Sequence, residues 1–118
     1  MELRESTKIF KALADEGRVR MLKLLLEKDI CVCEMQEVFP LSESQVSRSL
    51  KMLMDAGLLR RWREDKCVVY VADRENSPQL CLVVMHALAN SLNDCEVVRR
   101  DREALQEVIA RKVRETRK

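Results

Sequence analysis

The sequence predicts a mainly α domain carrying one β-hairpin. Three observations set that expectation. The 118 residues include only 2 Gly and 2 Pro, too few turn formers for a sandwich or a barrel. Apolar residues recur at helical spacing along most of the chain. Only residues 58–71 read differently, as two β-type runs around a charged tip. The length is that of one domain, residues 1–118, and 36% charged with 47% apolar residues supports a soluble folded core.

The elements follow in order. Thr7 to Ala14 reads as a helix with Ile9, Phe10, Leu13 and Ala14 on one face. Asp15 stops it and suits the N-cap of a second helix, in which Val19, Leu22, Leu25 and Leu26 recur up to about Glu27. Lys28-Asp29-Ile30 is a short break. A third, short helix covers Val32 to Val38, ended by Pro40, which lacks an N–H and restricts Phe39. Ser42 caps a fourth helix, with Gln45 placed as in a capping box. Val46, Leu50 and Leu53 form its buried stripe, and Gly57 breaks it. The hairpin pairs Leu58 to Arg63 with Cys67 to Val71. After Pro78 a long helix begins, over about 77–113. Leu82, Met85, Leu88, Ala89, Leu92 and Cys95 line one side, and Leu105, Val108, Ile109 and Val113 continue the pattern more weakly. Arg111 to Lys118 is mostly charged and expected to fray.

The short third helix, the turn and the capped fourth helix form a helix-turn-helix over about 32–56, and the hairpin makes a wing over about 58–73. That is the winged helix-turn-helix layout, which docks one helix in the major groove of double-stranded DNA. The C-terminal helix keeps an apolar stripe that needs a partner, either the chain's own core or a second copy. A homodimer joined through the terminal helices is the sharper expectation, because two half-sites call for two readers.

Composition narrows the function. Aromatic residues at 3% argue against a single-strand binder that stacks bases. A single His, His86, rules against a Ser-His-Asp triad or a multi-histidine metal site. No nucleophile–base pair, phosphate loop or acidic metal cluster is visible, so an enzyme is not expected. The net charge of +2 neither demands nor excludes nucleic acid. There is no apolar run long enough for a membrane span, and the N-terminus, Met1 to Glu5, does not read as a signal peptide. A cytoplasmic protein is expected, with its 5 cysteines as thiols.

Two groups of residues carry chemistry. On the fourth helix Ser42, Ser44, Gln45, Ser47, Arg48, Ser49 and Lys51 form a polar face opposite Val46 and Leu50. Small hydroxyls let a helix approach a groove, Gln45 can pair with an adenine edge, and Arg48 with guanine or phosphate. The wing adds Arg63 and Lys66 as phosphate contacts, with Trp62 read as packing. The second group is Cys31-Val32-Cys33, at the start of the third helix. Thiolates bind soft ions, trivalent arsenic and antimony among them. Residues two apart on a helix diverge by about 200°, so the pair meets one ion only if the first turn unwinds. Unwinding next to the reading helix would displace it. Cys67 in a strand and Cys81 on the long helix read most simply as core residues.

These strings resemble the ArsR/SmtB family of metal-responsive repressors. The resemblance runs from about Thr7 to Leu92. It rests on Ile9 to Glu16 with Arg18 and Arg20, on Ile30 to Met35, on Ser42 to Leu53, on Ala56-Gly57-Leu58-Leu59 and on Val69-Tyr70-Val71. It implies a homodimer that represses an operon and leaves operator DNA when an ion binds. The Cys-Val-Cys string is similar to the arsenical branch, whose operons encode arsenic efflux or reduction, with arsenite, antimonite or an organoarsenical as inducer. That branch often has a third cysteine where this chain has Gln36. The site is then two-coordinate, as suits an organoarsenical, or is completed by Cys67, Cys81 or Cys95, of which Cys95 could reach across a dimer. Ser49 replaces a histidine frequent in the family's reading helix, and Gly17 a common threonine. The resemblance also allows a cadmium/lead sensor, or a redox or persulfide switch pairing Cys31 or Cys33 with Cys95.

Overall fold

The computed structural model describes residues 1–116. Its elements are α1 (Leu3–Ala12), α2 (Glu16–Glu27), β1 (Ile30–Cys31), α3 (Val32–Val38), α4 (Glu43–Asp55), β2 (Leu59–Glu64), β3 (Cys67–Ala72), α5 (Gln79–Ala89) and α6 (Glu96–Thr116). The strands form one antiparallel sheet in the order β1-β3-β2. This is the winged helix-turn-helix expected, with α3 and α4 as the two helices and β2–β3 as the wing.

The local signals explain most boundaries. Asp15 caps α2 by accepting from the Arg18 N–H at 3.0 Å. Phe39 is extended and buried beside Pro40, so α3 stops there. The end of α4 is a Schellman turn: Leu58 N–H donates to Leu53 O and Gly57 N–H to Met54 O. Gly57 sits at φ +92°, where a Cβ would also come within 3.2 Å of Pro78. Val46, Leu50 and Leu53 are fully buried, together with Leu22, Met21 and Leu58.

Four expectations need correction. α1 starts at Leu3 rather than Thr7, and buries Ile9 and Ala12 while Phe10 lies 57% exposed. Ile30, read as the end of a short break, and Cys31, read at the start of the third helix, form a strand, paired Ile30 to Tyr70 and Cys31 to Val69. The charged tail, expected to fray from Arg111, is helical through Thr116 as the end of α6; residues 117–118 lie outside the described residues.

The fourth correction is the long helix, which is broken between Ala89 and Glu96. The break is made by side chains that compete with the helical ladder. Asn90 Nδ2 and Ser91 Oγ turn back to His86 O and Ala87 O, and Leu92 takes a positive φ of 62°. The buried Lys23 then caps the end of α5. Its Nζ donates to Leu88 O at 3.2 Å, Ala89 O at 3.0 Å and Asn93 Oδ1 at 2.9 Å. A cation at a helix C-terminus is favoured by the dipole. Burial nonetheless pushes the Lys23 ammonium below its ordinary pKa, with Glu27 opposing the shift.

The break lets α6 fold back across α2 and α3. Arg20 on α2 makes a bidentate pair with Asp101 on α6, at 2.9 and 2.8 Å. That hydrogen bonding raises the Arg20 guanidinium pKa further. Arg102 holds Glu27 at 2.8 and 2.7 Å, and Arg111 pairs with Glu37 on α3. Val98 and Leu105 are buried in the same layer. Much of the stripe expected to face a partner is therefore covered by the chain's own core.

Candidate nucleic-acid interface and metal centre

Helix α4 presents the polar face that its sequence encodes. Ser42 Oγ accepts from Gln45 N–H at 3.2 Å, while Gln45 Oε1 accepts from Ser42 N–H at 3.0 Å, closing the capping box. Ser42, Ser44, Gln45, Ser47, Arg48 and Lys51 are exposed, and Ser49 is half-buried. Arg48 Nε donates to Ser44 O at 3.3 Å, and Lys51 lies 3.8 Å from Asp55. The cap uses the Gln45 carbonyl oxygen, so a role for Gln45 in base reading competes with its role in starting the helix.

The wing is regular. Leu59 pairs with Ala72 and Glu64 with Cys67, leaving Asp65 and Lys66 as a two-residue tip with Asp65 at φ 54°. Arg63 and Lys66 are exposed there. Trp62 is exposed and carries the Arg60 guanidinium over its ring at 5.7 Å. The hairpin and α4 thus set two polar surfaces side by side.

The cysteines behave differently from the sequence expectation. Cys31 is not inside a helix. It ends β1 and serves as the extended N-cap of α3, its N–H donating to Glu34 Oε1 at 2.8 Å. Cys33 is the second helical residue. The 200° divergence of a regular helix therefore does not apply, and the two Sγ atoms lie 3.3 Å apart with α3 intact. No unwinding is needed to bring them together.

Cys67 joins them. Cys31 pairs with Val69 across the antiparallel ladder, so Cys67, two residues from Val69, is its diagonal neighbour on the same face. Cys31 and Cys67 are joined as a disulfide with Cα atoms 6.2 Å apart, and Cys33 Sγ lies 3.2 Å from Cys67 Sγ. All three sulfurs lie within 4.8 Å of one another. Two thiolates on one ion at about 2.3 Å each are at most about 4.6 Å apart, and the 3.3 and 3.2 Å separations from Cys33 fall inside that limit. Lys112 Nζ on α6 donates to Cys33 Sγ at 2.8 Å. The cluster opens on a cleft lined by Glu34, Glu64, Asp65, Lys66 and Lys112.

The other two cysteines lie outside this group. Cys81 is buried with its Sγ 3.5 Å from Ala56 O, and burial raises its pKa. Cys95 is half-buried just before α6 and is not part of the sulfur cluster. Sequence reasoning read Cys67 most simply as a core residue, and as one of three cysteines that could complete the site, because it missed β1. The register of Ile30-Cys31 against β3 is the signal that would have found it.

Residues 15–61 match the profile described as "Bacterial regulatory protein, arsR family". The arsenical resistance operon repressor of Bacillus subtilis is 32% identical over 87 residues, which cover 69% of this chain and 83% of that protein. The chain belongs to the ArsR family. A second relative in the family, the cadmium resistance transcriptional regulatory protein CadC homolog of Staphylococcus aureus, is 36% identical over 74 residues, 62% of this chain. The match spans 61% of the length of that relative. Among solved structures, the homodimeric winged helix-turn-helix DNA-binding domain Mb0332 of Mycobacterium bovis superposes with a TM-score of 0.62 at 24% identity, covering 78% of this chain and 85% of that one. It agrees with the winged helix-turn-helix fold described above. Among the described residues, no helix is long and apolar enough to cross a membrane.

Proposed function

We propose that this ArsR-family chain is a cytoplasmic, DNA-binding transcriptional repressor of a metalloid-resistance operon. It holds double-stranded operator DNA as a homodimer and leaves it when trivalent arsenic or antimony, inorganic or organic, binds Cys31 and Cys33. One observation carries the inducer half: the two sulfurs lie 3.3 Å apart at the start of the helix that precedes the reading helix. The arsenical repressor of Bacillus subtilis supports the choice of ion. Ser42, Ser44, Gln45, Ser47, Arg48, Ser49 and Lys51 face the major groove, and Arg63 and Lys66 reach phosphate. Exposed Leu3, Phe10 and Val83 on α1 and α5 supply apolar surface for the second copy.

The test is a mobility shift of the reduced protein on its own upstream DNA, with and without arsenite. Arsenite is expected to release the wild type. Cys31→Ser and Cys33→Ser are expected to bind DNA and stay bound. A wild-type complex unmoved by arsenite would reject the inducer.

The Cys31–Cys67 pairing favours a second reading, a thiol switch. Two thiols and a peroxide give one disulfide, an alcohol and water, and the oxidised protein leaves its operator. Cys67 takes the place that the sequence reading gave to Cys95. Release by peroxide, with no response to arsenite, would select this reading. A cadmium-type response would instead show as release by divalent cadmium alone.

A further inference from the structure

We infer that Cys67 is the third ligand, making the site a three-thiolate centre that spans β1, α3 and the first residue of the wing strand β3. The inference rests on the arsenical reading above and states its coordination. Trivalent arsenic forms three bonds and keeps a lone pair. Arsenite is As(OH)3, and exchange with three thiols gives As(SR)3 and three waters, with no change of oxidation state. A monoorganic arsenical already has one As–C bond and takes two thiolates. The number of sulfurs within reach therefore decides which arsenical the site holds best.

The geometry supplies three. Cys33 Sγ is 3.3 Å from Cys31 Sγ and 3.2 Å from Cys67 Sγ. The set is gathered by structure that exists for other reasons, namely the β1–β3 ladder and the first turn of α3. Such a site costs little rearrangement on binding, and preorganised ligands bind more tightly than ones that must be ordered. The Lys112 ammonium at 2.8 Å from Cys33 offsets negative charge while the thiolates are collected. The cleft beside Cys31 and Cys67 gives the ion a way in. Cys31 and Cys67 must be reduced to thiols first. Once bound, the ion ties the wing, directly behind its Asp65-Lys66 tip, to the helix that precedes α4.

The experiment uses full-length protein reduced with a phosphine, then freed of it. Arsenic X-ray absorption of the arsenite complex counts sulfur neighbours, and titrations measure affinity for arsenite and phenylarsenite in wild type, Cys67→Ser and Cys95→Ser. The wild type is expected to show three sulfurs. Cys67→Ser is expected to show two, to lose about tenfold or more in arsenite affinity, and to keep its phenylarsenite affinity. Losing a group that merely orients a ligand already costs about 10–100-fold. Cys95→Ser should match wild type. Retained phenylarsenite binding also shows that Cys67→Ser is folded at the site. Two sulfurs in the wild type, or a Cys67→Ser protein that binds arsenite as tightly, overturns the inference while leaving an arsenical repressor. A wild type that binds no arsenite overturns both.

Discussion

Helix α4 and the sulfur cluster are neighbours in the fold but are gathered from very different lengths of chain. α4 takes its cap from Ser42 and Gln45, three residues apart, its end from Leu53 to Leu58, and its buried stripe from Val46, Leu50 and Leu53. The cluster takes Cys31 from β1, Cys33 from α3, Cys67 from β3 and Lys112 from α6, a contact 79 residues along the chain from Cys33. The presenting helix is fixed by local rules and its own core stripe. The sensing group exists only once the sheet register and the α6 packing are in place. A signal that perturbs the second can therefore reach the first without unfolding it.

The largest effect on the local side should come from Leu50→Ala. Leu50 is fully buried under the presenting face, and truncation there costs about 2–5 kcal/mol in lost transfer and cavity terms. Urea denaturation measures it. A loss below about 1 kcal/mol would show that α4 is held by its caps rather than by its core contact.

The long-range side breaks at Asp101. Its carboxylate is 7% exposed and holds Arg20, which is 28% exposed. Removing one partner of a buried pair costs about 3–5 kcal/mol, and the water reaching Arg20 lowers the expectation for Asp101→Asn to about 2 kcal/mol. The place of the loss matters more than its size. Hydrogen exchange should show α6 amides losing protection before those of α4, because the pair joins α6 to α2 and leaves the α4 caps untouched. Equal loss of protection in both helices would show that the two regions are one cooperative unit.

The same contrast governs what could be read without coordinates. The α4 cap, the Phe39-Pro40 stop, the Gly57 turn and the hairpin each rest on residues within a few positions of one another, and each appears where expected. The two-residue strand β1 has no periodicity to betray it, since Ile30-Cys31 is a strand only because Tyr70 and Val69 lie beside it. Missing β1 hid the approach of Cys33 to Cys31 and left Cys67 undistinguished from Cys81 and Cys95 as a candidate third ligand. The break after Ala89 was also out of sight. Leu92 and Cys95 continue the apolar pattern, whereas the break depends on Lys23, 65 to 70 residues earlier, reaching Leu88, Ala89 and Asn93. Lys23 is a charged residue in a run that reads as helix, and it is buried against the end of α5 and Asn93.

The smallest expected effect lies where α6 is itself local. Its first turn carries Glu96, hydrogen-bonded to Arg99, which also pairs with Glu103, and Arg100 stands 3.2 Å from Glu96. The Arg99 guanidinium, with Arg100 behind it, pulls the Glu96 carboxyl from 4.5 down to about 2. The folded chain therefore binds this proton less readily than the unfolded chain. The stabilisation is fully present above pH 4.5 and is lost as pH falls toward about 2. The stability difference between wild type and Glu96→Gln should be flat above pH 5, shrink through that acid window, and be reduced by salt, because the group is exposed. The Glu96 carboxyl resonance, followed through the same titration, should move at the low end of the window. A midpoint near 4.5 would show that these side chains do not hold their helix-surface pairing in solution.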